Sequence, residues 1–268
     1  MGNRWLHPRS TFSFLDRANR NENEVESAMS HVMAEYAEWE GGVELTHAAQ
    51  AFPTNVLLRI EEILPNNMQR TAETGCGKST IMFSNISRNH TVFTLDDTEL
   101  GAGSSVEFFK CCPLTKSDRI KTVFGPTQRT LLTYDHGETY DCVLIDGPHG
   151  WPFPEFEYLM FYPKIKRGGF LILDDCVIPT IGRMADFLAE DAMWELIEIV
   201  GHNTAVFRRT QVETFDPEGD GWWEQKYNRR RVSHKRDIWL DDREPVDIIS
   251  NERLDHKLHG FDPQNIQK

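Results

Sequence analysis

RTAETGCGKSTIMFSN, residues 70–85, is the stretch on which the fold turns. Residues 70–74 suit a short strand, Gly75-Cys76-Gly77 break it, and a helix is predicted near 79–87. Working outward, strands are predicted at 91–95 (TVFTL, ending in Asp96–Asp97), 120–124 (IKTVF), 142–145 (CVLI, ending in DGPHG) and 169–173 (GFLIL, ending in Asp174–Asp175). Helices are expected near 104–110, 127–134, 154–162 and 181–190, and Gly201-His202-Asn203 joins strands 195–200 and 204–209 into a hairpin. Short apolar strands alternating with helices describe a sheet covered on both faces. The expected fold is therefore α/β: a Rossmann-like doubly wound sheet, mostly parallel, with a terminal antiparallel hairpin and N-terminal helices. In such sheets ligands bind beyond the carboxyl ends of the strands.

The chain divides into an N-terminal helical extension (1–68), the alternating domain (69–210) and a polar C-terminal extension (211–268). Val25, Met29, Val32, Tyr36 and Trp39 mark a helix over 22–39; Val56, Leu57, Ile60, Ile63 and Leu64 mark another over 54–64, stopped by Pro65. Core packing or a homo-oligomer contact suits both. With 42 acidic against 29 basic residues the net charge is −13, which disfavours a broad nucleic-acid surface. The run from Arg229 to Arg236 reads as a solvated face. Five cysteines without a CxxC pair exclude a disulfide framework and the common zinc spacings. No apolar run approaches the roughly 18 residues of a membrane span. The first 24 residues lack an apolar signal core, so the expected location is the cytoplasm.

AETGCGKST, residues 72–80, admits two readings. It matches a relaxed phosphate-binding loop, in which Lys78 and Ser79 would serve a nucleotide-dependent kinase or ATPase and Asp174–Asp175 would supply the matching acid. That reading needs a strand ahead of Ala72, where Pro65-Asn66-Asn67-Met68-Gln69 make a poor one. In the other reading the strand is 70–74, with Glu73 at its end. Gly75, Cys76 and Gly77 then let the backbone approach a ligand, and Asp96, 23 positions after Glu73, accepts both hydroxyls of a ribose. Lys78 becomes a surface residue at a helix start, and Asp97 and Glu99 are solvated loop charges.

This constellation resembles the class I S-adenosylmethionine-dependent methyltransferases over about residues 54–210, and the closing hairpin fits that family's reversed seventh strand. VLIDGPHG followed by KRGGFLILDD is similar to the macrocin and mycinamicin sugar O-methyltransferases and, more distantly, to the catechol O-methyltransferases. The resemblance implies S-adenosylmethionine bound along Glu73, Gly75, Cys76, Gly77, Asp96 and Asp146. It implies Mg²⁺ on Asp146, Asp174 and Asp175, His149 as the base, and a small hydroxylated acceptor such as a sugar or natural product. The loop GCGKS is shorter than the family's, and residues 211–268 have no counterpart in it.

The acids also carry an argument of their own. Asp146 and Asp174 are 28 residues apart, one βαβ crossover, so adjacent parallel strands would bring them together. Carboxylates so gathered repel unless a cation, a donor or a proton compensates, and oxygen ligands suit a hard divalent ion. Capping of the helix after Pro179 equally suits Asp174 or Asp175, and a turn role suits His149 between Pro148 and Gly150. Trp151 and Phe153 suit either a pocket wall or packing beneath the loop.

Overall fold

The computed structural model describes residues 52–213 and 225–228. In chain order its main elements are α1 (Thr54–Ile63), β1 (Met68–Thr74), α2 (Lys78–Ile86), β2 (Ser87–Thr94), α3 (Ser105–Cys111), β3 (Ile120–Phe124), α4 (Thr127–Thr133), β4 (Tyr140–Ile145), α5 (Phe153–Phe161), β5 (Ile165–Leu173), α6 (Pro179–Glu190), β6 (Trp194–Val200) and β7 (Thr204–Arg209). The seven strands form one sheet in the order β3-β2-β1-β4-β5-β7-β6. β1 to β5 are mutually parallel, and β7 runs antiparallel to both β5 and β6. This is the expected Rossmann-like α/β sheet with its antiparallel pair at one edge.

The strand alternation explains the layers. Cys142 and Leu144 of β4, Phe170 and Ile172 of β5 and Val206 of β7 face one way, toward Val56, Leu57 and Ile60 of α1, Met82 and Phe83 of α2 and Phe109 of α3. Val143, Ile145, Leu171, Leu173 and Phe207 face the other, toward Leu131, Phe161, Ile181, Met184 and Leu188 of α4, α5 and α6. Side chains of period two thus feed two separate cores. The apolar stripe of α1 is spent on the first core. Val56 also seats against Gly201, where any Cβ would collide with it and where φ is +58°. The helix expected over 22–39, the basic run at 229–236 and most of 211–268 lie outside the described residues. No helix among the described residues is long and apolar enough to cross a membrane.

Two expectations are corrected. β1 starts at Met68, inside the segment read as a poor strand, because Asp141 Oδ2 accepts from Gln69 N at 2.6 Å and Arg70 N at 2.8 Å and so holds that segment extended. β2 ends at Thr94 and leaves Leu95 exposed, since the pairing with β3 stops at Thr94–Phe124.

The second core carries a charge-bearing residue at its top. Glu157 of α5 is fully buried, and burial pushes its carboxyl up to about 7, with Thr74 as its hydrogen-bond donor. Between the ordinary value near 4.5 and this raised one the folded chain binds a proton that the unfolded chain releases, so stability falls as pH rises across that window. Glu157→Gln, neutral throughout, should gain on the natural protein by up to about 3 kcal/mol between pH 4.5 and pH 8, read as urea midpoints at each pH. Phe207→Ala should cost about 3–5 kcal/mol at every pH by the same measurement, because it empties a closed core.

Candidate active site

The register of the sheet assembles the site. Thr74 pairs with Ile145, and Ile145 pairs with Leu173. Gly75, Asp146 and Asp174, the residues that follow, therefore stand in a row across three neighbouring strand ends.

The glycine loop is built for close approach. Gly75 has φ +82°, its amide donates to Phe93 O at 2.9 Å, and a Cβ there would collide with the carbonyl oxygen of Asp146. Around Gly77 a Cβ would meet nothing within 4 Å, so the loop opens there onto free space. Cys76 leans on Thr94 (Sγ to Oγ1 3.3 Å), and burial pushes its thiol up to about 12, which keeps it protonated. Glu73 lies beneath the loop, fully buried. Thr80 Oγ1 donates to Glu73 Oε1, Gly77 N donates to Thr80 Oγ1 at 3.0 Å, and His90 Nε2 lies 3.1 Å from Glu73 Oε1. His90 is itself held by Thr71 Oγ1 at 2.8 Å and stacked on Phe83. Glu73 thus supports the loop from below, and its other oxygen has no hydrogen-bond partner among the described residues.

Ala72 and Glu73 are strand residues, paired with Thr91 and Val92 of β2 and with Val143 and Leu144 of β4. Only Gly75, Cys76 and Gly77 separate β1 from α2, which begins at Lys78. That is too short a loop to wrap a phosphate chain, so the kinase alternative is not supported.

Asp96 is exposed at the mouth, with Oδ1 accepting from Thr98 Oγ1 at 2.7 Å and from Thr98 N at 3.2 Å. Its neighbour Asp97 is not a solvated loop charge. Its carboxylate accepts from Ser104 Oγ, from Ser105 N at 2.7 Å and from Val106 N at 3.2 Å, and so holds the start of α3. Burial opposes its charge, but these donors keep the carboxyl below its ordinary value.

Asp146, His149 and Asp175 converge: one ligand atom from each lies within 4.8 Å of the others. His149 Nε2 is 3.2 Å from Asp175 Oδ2 and 3.7 Å from Asp146 Oδ1. The Asp146 carboxylate beside it holds the imidazole above its ordinary value, against burial, with Asp175 adding to it. Burial raises Asp146, though His149 works the other way, and the charge of Asp175 adds to the rise. Asp174 is almost wholly buried and is raised by burial and by Asp146; its Oδ1 accepts from Thr204 Oγ1. Asp175 sits at φ +56°, uncommon for a residue with a Cβ, with Oδ1 accepting from Asn203 Nδ2 at 2.9 Å. Neither acid of this pair caps α6, whose first turn follows Ile178 and has no side-chain cap.

Donor chemistry decides whether a metal fits. Two carboxylates face one point with an imidazole beside them, three acids crowd one edge, and His149 Nε2 lies between Asp146 and Asp175. Such a set is short of positive charge and suits a hard divalent ion. Thr74, Thr80, His90, Glu157, Asn203 and Thr204 hold these groups, and none of them is assigned a role in the site from the sequence alone. Glu157 alone left a mark in the sequence, as an acid inside the apolar helix FPEFEYLMF.

Residues 72–176, about two-fifths of the chain, match the model of a family described as a methyltransferase domain. No curated protein matches the chain in sequence. Among solved structures, similar ones include an SAH-bound methyltransferase from Podospora anserina, at 17% identity and TM-score 0.49, covering 79% of this chain and 100% of that one. Another is an O-methyltransferase from Bacillus cereus in complex with SAH, at 15% identity and TM-score 0.48, covering 70% and 94%. A third is an O-methyltransferase from Streptomyces achromogenes involved in tomaymycin synthesis, at 13% identity and TM-score 0.46, covering 70% and 91%. The segment that matches the methyltransferase domain, from Ala72 to Cys176, is the one that runs from the glycine loop to the last acid of the site.

Proposed function

We propose that this protein transfers a methyl group from S-adenosylmethionine to a hydroxyl of a small molecule, such as a sugar or natural product, with a divalent ion assisting. The observation that carries this is the meeting of an open glycine loop with the Asp146–His149–Asp175 cluster at adjacent strand ends. The match of residues 72–176 to a methyltransferase domain supports it.

The chain's own groups divide the work. Gly75, Cys76 and Gly77 bring the backbone against the cofactor, and Asp96 accepts from the ribose hydroxyls. When bound, S-adenosylmethionine supplies the methyl electrophile: the acceptor oxygen takes the methyl as the C–S bond breaks and its electron pair returns to sulfur. A Mg²⁺-like ion, held by Asp146 and Asp175 with Asp174 behind them, would acidify and orient the acceptor hydroxyl. His149 receives the hydroxyl proton, and the two flanking carboxylates stabilise the imidazolium that results. Since the sulfonium is already a good leaving group, positioning provides much of the rate.

A metal-free version rests on one specific observation: with carboxylates at 3.2 and 3.7 Å, His149 is an oriented base without further help. Chelation separates the two. With the metal, excess chelator abolishes methyl transfer and leaves S-adenosylmethionine binding nearly unchanged; full activity in chelator leaves His149 acting alone.

Isothermal titration tests the reading itself. S-adenosylmethionine should bind the natural protein and ATP should not. Asp96→Ala should weaken the binding more than about tenfold through loss of charged hydrogen bonds, and Lys78→Ala should leave it intact. His149→Ala should lower turnover by about 10²–10⁴. Tight ATP binding without S-adenosylmethionine binding would sink the proposal.

A further inference from the structure

Glu157 belongs to none of the motifs, yet its carboxylate lies against the loop that follows β4. A Cβ on Gly147 would collide with both of its oxygens. A one-way chain of donors leads to it. Asp146 N donates to Thr74 Oγ1 at 3.1 Å, and Thr74 Oγ1 donates to Glu157 Oε2 at 2.7 Å. A backbone amide can only donate, so it claims the hydroxyl as acceptor and sends the hydroxyl hydrogen to the carboxylate.

The first two members of this chain are the two lips of the site. Thr74 closes β1 and directly precedes Gly75, while Asp146 opens the loop that carries His149. The other oxygen of Glu157 is also buried, and Thr127 of α4 is the second hydroxyl that acts on the carboxylate. An apolar side chain there would spare the cost of burying a carboxylate but would leave the buried Thr74 hydroxyl without its acceptor. What the carboxylate does provide is a fixed acceptor for Thr74. Gly75 and the Asp146 carbonyl pack so closely that the position of one sets the other.

We propose that Glu157 is a positioning residue: through Thr74 it fixes the main chain at Asp146 against Gly75, and so sets the cofactor loop and the Asp146–His149 loop relative to each other. This rests on the methyltransferase reading of the site. Glu157 and Thr74 reach no substrate in this role, and their effect passes through the backbone they hold.

The test uses the full chain and two conservative rescues. Thr74→Val and Glu157→Leu break the relay; Thr74→Ser and Glu157→Gln keep a hydroxyl and an acceptor in place. Thermal melts establish that each variant is folded, isothermal titration reads S-adenosylmethionine affinity, and NMR-detected hydrogen exchange reads the Asp146 amide. The Val and Leu variants should bind S-adenosylmethionine about fivefold more weakly, the usual worth of one hydrogen bond, and should exchange faster at Asp146. The Ser and Gln variants should stay within about threefold of the natural protein on both readouts. Unchanged affinity in folded Val and Leu variants overturns the role of Glu157. So does an equal loss in the Ser and Gln variants, which would mark packing as the cause. A natural protein that binds no S-adenosylmethionine overturns the methyltransferase reading and this role with it; one that binds, with variants that match it, overturns this role alone.

Discussion

The contact between Gly75 and the carbonyl oxygen of Asp146 is the constraint on which the rest of the site depends. No side chain fits between them, and the backbone of Gly75 lies at a positive φ. A residue with a Cβ would have to push the end of β1 away from the end of β4. That would separate the glycine loop from the acids and break the hydrogen bond from Asp146 N to Thr74. The sheet register places the two ends side by side, and the missing side chain lets them close.

What gathers there is expensive. Asp146, Asp174 and Asp175 stand near one another at a partly buried edge, and burial raises the first two. The structure offsets part of this cost with dedicated partners: Thr204 on Asp174, Asn203 on Asp175 and His149 between Asp146 and Asp175. Thr204 and Asn203 both come from the hairpin that closes the sheet. The edge strands therefore serve the centre, because inserting β7 beside β5 brings the β6–β7 turn up to the acids. A buried carboxylate cluster held in this way costs stability and gains chemistry, as is usual where strained or charged groups persist at a site.

Much of this was legible in the chain. Each strand expected from apolar runs is present, and IKTVF and TAVFRR keep the expected ends, because strands buried on both faces are written as short apolar runs. Other ends were misjudged where a side chain overrode local preference. Asp141 extends β1 back through Gln69, and Leu95 looks like strand but has lost its partner on β3. Asp97 looked like loop charge because a helix cap is recognisable only once the start of α3 is known. Asp146, His149 and Asp175 were visible as acids and a histidine at strand ends, but which of them meet was not.

The sequence by itself determined the order of strands and helices, the placement of glycines and acids at their ends, and the edge on which a ligand would sit. These follow from periodicity and from the binding of ligands beyond the carboxyl ends of parallel strands, which are local or topological properties of the chain. Only the tertiary structure decided that Asp175 faces His149 while Asp174 turns to Thr204, that Glu73 works beneath the loop, and that Glu157, 83 residues from Thr74, shares a hydrogen bond with it. The side chains of adjacent residues diverge at a strand end, and a buried hydrogen bond forms between whatever groups the packing brings together. Neither direction nor distance of that kind is written in spacing along the chain.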